Sequence, residues 1–149
     1  MRSTRCAKQT AGRMNLTPTP VPNTPRPRVL MAVRDDTHAH WAQRALSALS
    51  CEVVRVDGTQ HAVDAACNDN FSLVLLDCRE SAHEGRHTAR QIRAHEGTRN
   101  RRPVPIIGMA QSHAEGERQG LLDSGINHVH VGPLQLKSLA LLLVRWRRK

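Results

Sequence analysis

Asp77 closes the apolar run that opens "FSLVLLDCRESAHEG" (Phe71 to Gly85), and Asp35 and Asp36 follow a second such run, "RVLMAV" at 28–33. Carboxylates delivered at the tips of buried strands supply the oxygen ligands that hard cations require, provided the strands bring them to one place. Nine histidines raise a different chemistry. His38/His40 and His128/His130 are H-x-H pairs, and His83/His87 have the i, i+4 spacing of helical zinc ligands. "HEGRH" at 83–87 even matches the letters of H-E-x-x-H. A zinc hydrolase, however, needs both histidines well inside one helix and a third ligand beyond, whereas Gly85 suggests a loop-to-helix turn. There is no G-x-G-x-x-G after a strand, no G-x-x-x-x-G-K-[ST] and no G-x-S-x-G, so neither a phosphate cradle nor a nucleophilic serine is indicated.

The chain of 149 residues is long enough for one domain with tails. Its formal net charge of +9 lies at the ends. Residues 1–28 carry six Lys/Arg and no acid, and Arg145, Arg147, Arg148 and Lys149 close the chain; that leaves 12 basic against 13 acidic residues between 29 and 144. With one Phe, two Trp and no Tyr, stacking platforms for single-stranded nucleic acid are lacking, and nucleic-acid binding is not expected. Cys6, Cys51, Cys67 and Cys78 form no C-x-x-C pair, which fits a reduced, cytoplasmic protein. No apolar stretch approaches the length of a membrane span. Five prolines between Leu16 and Arg28 favour extended backbone, so residues 1–27 read as a disordered basic tail and 28–149 as the domain.

Within that domain, "RVLMAV", "CEVVRV" (51–56), "SLVLLD" (72–77), "VPIIGM" (104–109) and "INHVHV" (126–131) read as strands. Helical patterns lie between and after them: "THAHWAQRALSALS", "TQHAVDAACNDN" with a candidate Thr cap, "EGRHTARQIRAHEG", "HAEGERQGLLDSG" and "LQLKSLALLLVRW". Alternation of five strands with five helices implies an α/β, doubly wound parallel sheet with helices on both faces. "LVLL" and "VPII" are apolar on both faces, as central strands must be, while "CEVVRV" alternates as an edge. The flavodoxin-like order 2-1-3-4-5 follows, with strands 1 and 3 adjacent at the switch point, where Asp35, Asp36 and Asp77 would share a crevice.

From about residue 28 to residue 146 the sequence resembles the receiver domain of bacterial two-component response regulators, especially receivers of hybrid sensor kinases. "LLDCRESAHEG" resembles the family's D-C-Q-M-P-x-M-D-G, "PIIGMAQSHAEGERQGLLDSG" resembles P-I-I-A-M-T-A-N-A-x-E-G-D-R-x-x-C-L-x-A-G, and "INHVHVGPL" resembles M-D-D-Y-L-S-K-P-I. The resemblance implies that Asp77 is the phosphoacceptor and Gly85 the closing glycine. It also implies an acidic pair after strand 1 for Mg²⁺, a Ser/Thr after strand 4 and a Lys after strand 5. Such a set stabilises phosphoryl transfer by position and countercharge. Here Val33 and Arg34 stand at the acidic-pair positions (Arg34 and Asp35 after a one-residue slip), Ala110 replaces the hydroxyl and Gly132 replaces the lysine.

Ala110 cannot donate a hydrogen bond, Gly132 removes a cation, and Arg34 puts a fixed charge where a metal would dock. The sharpest expectation is that Arg34 pairs with Asp77, and with Asp35, in place of Mg²⁺, an attraction of roughly 4 kcal/mol at 4 Å before desolvation. The competing reading is that Arg34 points to solvent. No cofactor is expected, with Mg²⁺ on Asp35 and Asp77 only if the acidic pocket works. The resemblance then implies a degenerate receiver: a cytoplasmic, non-enzymatic interaction module in phosphorelay signalling, whose partner is a histidine kinase or another signalling protein. The alternative is a functional single-domain response regulator phosphorylated on Asp77 by a histidine kinase. The final helix carries more apolar residues than one stripe, with Leu141 and Val144 as the excess, and suggests a self-association or partner surface. No DNA-binding or enzymatic output module is expected within the chain.

Overall fold

A computed structural model describes residues 26–111, 114–132 and 134–146. Most of the expected 1–27 tail therefore lies outside the described residues. The elements run β1 (Arg28–Ala32), α1 (Asp36–Ala48), β2 (Glu52–Val56), α2 (Thr59–Asn68), β3 (Leu73–Asp77), α3 (Ala82–Thr98), β4 (Ile106–Ala110), α4 (Glu115–Asp123), β5 (His128–Val131) and α5 (Leu136–Trp146). All strand pairs are parallel, in the order β2-β1-β3-β4-β5. This is the five-stranded flavodoxin-like sheet that the alternation of runs implies.

Strand periodicity divides the core into two layers. Val29 and Met31 of β1, Leu73 and Leu75 of β3, and Ile107 and Met109 of β4 pack with Leu46 of α1 and Leu139 of α5. On the opposite face Leu30, Val74, Leu76 and Ile106 pack with Val63 of α2, Ile92 of α3 and Leu121 of α4. Burying such aliphatic side chains contributes about 1.5–3 kcal/mol each. β4 is buried along its whole length, whereas β2 is exposed or half-buried throughout, as the edge position requires.

Two basic side chains staple the loops at the end of the sheet remote from Asp77. Glu96, 8% exposed, accepts hydrogen bonds from Arg93 Nη1 (2.8 Å) and the Val104 amide (2.8 Å). Arg93 also donates to the Gly125 carbonyl and Asn127 Oδ1, so a buried carboxylate is paired and fully engaged. Arg101 donates to the carbonyls of Ala66, Cys67 and Asp69, which the end of α2 leaves without helical partners.

Two local expectations change. Thr59 is the first residue of α2 rather than its cap; the cap position is Gly58, which makes no side-chain bond. "HEGRH" lies wholly inside α3, which Ser81 caps by accepting from the Glu84 amide at 3.2 Å. Gly85 is buried there, packed so closely that a Cβ at that position would run into Cys78 Sγ. Absence of a side chain lets the first turn of α3 sit on the residue that follows Asp77.

Candidate functional site

Strands β1 and β3 are hydrogen-bonded neighbours, so the β1–α1 connection and Asp77 meet at the carboxyl end of the sheet. The ladder continues past Asp77 through the Cys78 amide, which donates to the Met109 carbonyl at 2.8 Å. That bond fixes the backbone from which the carboxylate projects. The Asp77 side chain is only 8% exposed.

Its partner is Arg79. Nε donates to Oδ1 at 2.8 Å, Nη2 donates to Oδ2 at 2.8 Å, and the Arg79 amide adds a bond to Oδ1 at 3.0 Å. A planar guanidinium matching both oxygens of a carboxylate is the strong, geometrically selective form of ion pair. The hydrogen bond that Arg79 donates to Asp77 raises the Arg79 pKa against the opposing effect of its burial, and the charges of Asp77, Asp35 and Glu80 add to the rise.

Arg34 does not make the expected ion pair with Asp77. It is exposed, with Nη2 at 3.3 Å from Glu84 Oε1 and Nη1 at 3.8 Å from Glu80 Oε1. The two acids at the start of α3 capture it, while Arg79, two residues beyond Asp77, reaches the carboxylate without crossing the crevice. Arg34 and Asp77 nevertheless line the same small cleft of about 30 Å³ with Glu80 and Glu84. A fixed cation therefore does sit on Asp77, but it is Arg79 rather than Arg34.

The other two acids are occupied as well. Asp35 Oδ1 caps α1 by accepting from the amides of Thr37 (2.8 Å) and His38 (3.4 Å), and Oδ2 lies 2.8 Å from His38 Nδ1. The His38 bonds hold the Asp35 carboxyl below its ordinary pKa. Asp36 pairs with Arg55 Nη2 at 2.9 Å, and the same guanidinium donates to the carbonyls of Val33 and Arg34. Arg55, from the edge strand, thus ties down the loop that should present an acidic pair. Val33 is 1% exposed and belongs to the core, so this position is recruited for packing.

Ala110, 1% exposed, ends β4 as an apolar core residue, and Gln111 beyond it is exposed. Gly132 is exposed at φ +94, in the left-handed region that favours glycine. These residues do not fit Mg²⁺. Both Asp77 oxygens face a guanidinium, and Asp35 and Asp36 are committed to a helix end, His38 and Arg55.

The histidine pairs do not converge. His83 and His87 are exposed on α3, and His38 is engaged by Asp35. His128 stacks near Trp146 at 6.3 Å between centroids, and burial lowers its pKa, aided by His130, Arg145 and Arg118. Among the described residues no group of three or more His, Cys, Asp or Glu is placed to hold a metal. No helix among them is long and apolar enough to cross a membrane. On α5, Leu139, Leu142 and Leu143 are buried, whereas Leu136, Leu141 and Val144 are exposed.

The chain belongs to the response-regulator receiver domains, as its similarity to a sensor kinase over 80% of its length shows, and the sheet order and the carboxylate at the β3 terminus agree with that. Among such domains this one is of the type carried by hybrid sensor kinases. It is 32% identical over 120 residues to the sensor protein GacS of Pseudomonas syringae pv. syringae, a match covering 80% of this chain and 13% of that protein. The chain thus spans about 13% of the length of that curated relative. The receiver domain of the sensor histidine kinase PA1611 of Pseudomonas aeruginosa PAO1, solved with magnesium in its active-site cleft, superposes with a TM-score of 0.71 at 27% identity. That superposition covers 82% of this chain and 98% of the other. A co-crystal structure of the Saccharomyces cerevisiae phosphotransfer protein Ypd1 with the receiver domain of Ssk1 matches in fold, with a TM-score of 0.75 at 21% identity over 82% of this chain and 89% of that chain. No protein-family model matches the chain.

Proposed function

We propose that this receiver domain is degenerate: a protein-interaction module of phosphorelay signalling, cytoplasmic and non-enzymatic, in which Asp77 accepts phosphoryl groups poorly. The observation that carries the reading is the two-pronged Arg79 contact on a carboxylate only 8% exposed. For Asp77 to attack phosphorus, the guanidinium must leave, a divalent ion must be recruited to acids already engaged, and the transferred group must do without the hydroxyl and ammonium absent at Ala110 and Gly132. What remains is a rigid domain with a surface for a histidine kinase or a phosphotransfer protein, the kind of partner that Ypd1 is for the Ssk1 receiver. Self-association through the exposed Leu141 and Val144 of α5 belongs to the same proposal.

The second reading, a working phosphoacceptor, draws on the likeness to the magnesium-bound PA1611 receiver. Incubation of the full chain with acetyl phosphate and Mg²⁺, followed by intact-mass measurement, separates the two. The degenerate reading expects no added phosphoryl group on the wild type. Rapid, stoichiometric gain of one group, abolished in Asp77→Asn, would establish the alternative.

A further inference from the structure

A hollow of about 360 Å³ opens beside the Asp77–Arg79 pair, between the start of α1 and the residues leading into α5. Its floor is the buried apolar surface of Val33, Ala42 and Met109, Leu134 adds to its lining, and Trp41 stands at one side with 41% of its surface exposed. Arg79, Gly132, Thr37, Gln135 and His38, whose Nδ1 faces Asp35, complete it. Ala42 offers only a methyl group to this space, and a Cβ at Gly132 would meet nothing within 4 Å. The volume is at the small end of the roughly 300–1,000 Å³ typical of ligand sites, which suits one or two rings.

The polar group at this site is half-used. Arg79 spends its Nε/Nη2 edge on Asp77, and no protein group among the described residues engages Nη1. A guanidinium held side-on by one carboxylate keeps its end-on fork, Nη1 with the outer Nη2 hydrogen, for a second. Thr37 and Gln135, also in the lining, add a hydroxyl and an amide.

We propose that this hollow is a binding site for a small aromatic carboxylate, with the ring against Trp41 and the apolar floor and the carboxylate on the end-on fork of Arg79. The hollow lies beside Asp77 and shares Arg79 with it, so the proposal rests on the Asp77–Arg79 pair. Asp77 already offsets part of the Arg79 charge, so ring burial sets most of the affinity, and the carboxylate sets selectivity. For a two-ring ligand the dissociation constant should be on the order of 0.1–1 mM.

The test is titration of the full chain with 1-naphthoate, its neutral amide 1-naphthamide and the cation 1-naphthylmethylammonium, followed by amide and indole NMR shifts. Saturable shifts at Trp41, Thr37 and Leu134 are expected with naphthoate, and the amide should bind about tenfold more weakly. Asp77→Asn, which releases the guanidinium, should tighten naphthoate binding. Arg79→Met should abolish the preference for naphthoate over the amide, and a saturable indole shift at Trp41 with the amide in that variant shows that the hollow is still formed. Equal binding of the three probes, no saturable shift with any of them, or shifts confined to the exposed face of α5 would overturn the proposal.

Discussion

If Arg79 is the resident countercharge of Asp77, the two side chains must be energetically coupled, and the structure sets the scale. At the observed 2.8 Å the direct attraction is about 6 kcal/mol for an effective dielectric near 20. Desolvation removes much of that, because the side chains are only 8% and 19% exposed. Residues two apart also stay close in the unfolded chain, which retains part of the attraction there. A net coupling of about 2 kcal/mol is the expected balance. In urea unfolding, Arg79→Met should destabilise by about 3 kcal/mol and Asp77→Asn by about 2, with the double variant near 3 rather than 5. Midpoint shifts of roughly 1–2 M urea would report this, at unchanged m-value. The control is the same cycle with Arg34→Met, which should be additive with Asp77→Asn within about 0.5 kcal/mol, since Arg34 is exposed and faces Glu80 and Glu84. Coupling below about 0.5 kcal/mol for Arg79, or a larger value for Arg34, would refute the assignment.

Two further outcomes follow from the same region. Gly85→Ala should cost about 1–3 kcal/mol through the clash with Cys78 Sγ, and Cys78→Ala should recover part of that loss in the double variant; a neutral Gly85→Ala would show that α3 is free to shift. Because the Asp35 carboxyl is held below its ordinary pKa by His38, its contribution is complete above the unfolded value of about 3.9 and disappears as pH falls through the lower folded value. Asp35→Asn, which keeps a capping oxygen, should therefore lower the thermal midpoint at pH 6, and the difference from wild type should shrink as pH falls below about 4; a gap unchanged at pH 3 would count against the carboxylate's bond to His38 as its source.

The sheet was legible because each strand run declares its neighbours: "LVLL" and "VPII" need cover on two faces, and "CEVVRV" does not. The place of Asp77 at the end of the third run followed from the same patterns, whereas Ala110 and Gly132 were singled out by the family resemblance alone. Arg79 was not legible in that way, since attention to the acidic-pair position singled out Arg34, the more conspicuous substitution. A local signal existed in "DCR": side chains two apart leave an extended segment on the same side, so an arginine there is already beside the acid. The roles of Arg55 and of the two glutamates that draw Arg34 away depend on spacings of about twenty and fifty residues in the chain, set by the closed fold and absent from any short window. The hollow beside Trp41 is likewise a property of what neighbouring elements fail to fill, which no single residue announces.

The backbone at Gly132 makes a lysine at that position costly to install. An L-residue entering the left-handed region at φ +94 costs roughly 1–2 kcal/mol before its ammonium contributes anything. A Gly132→Lys exchange would thus gain its ammonium only together with an adjustment of the connection before α5, a condition set by a single torsion angle.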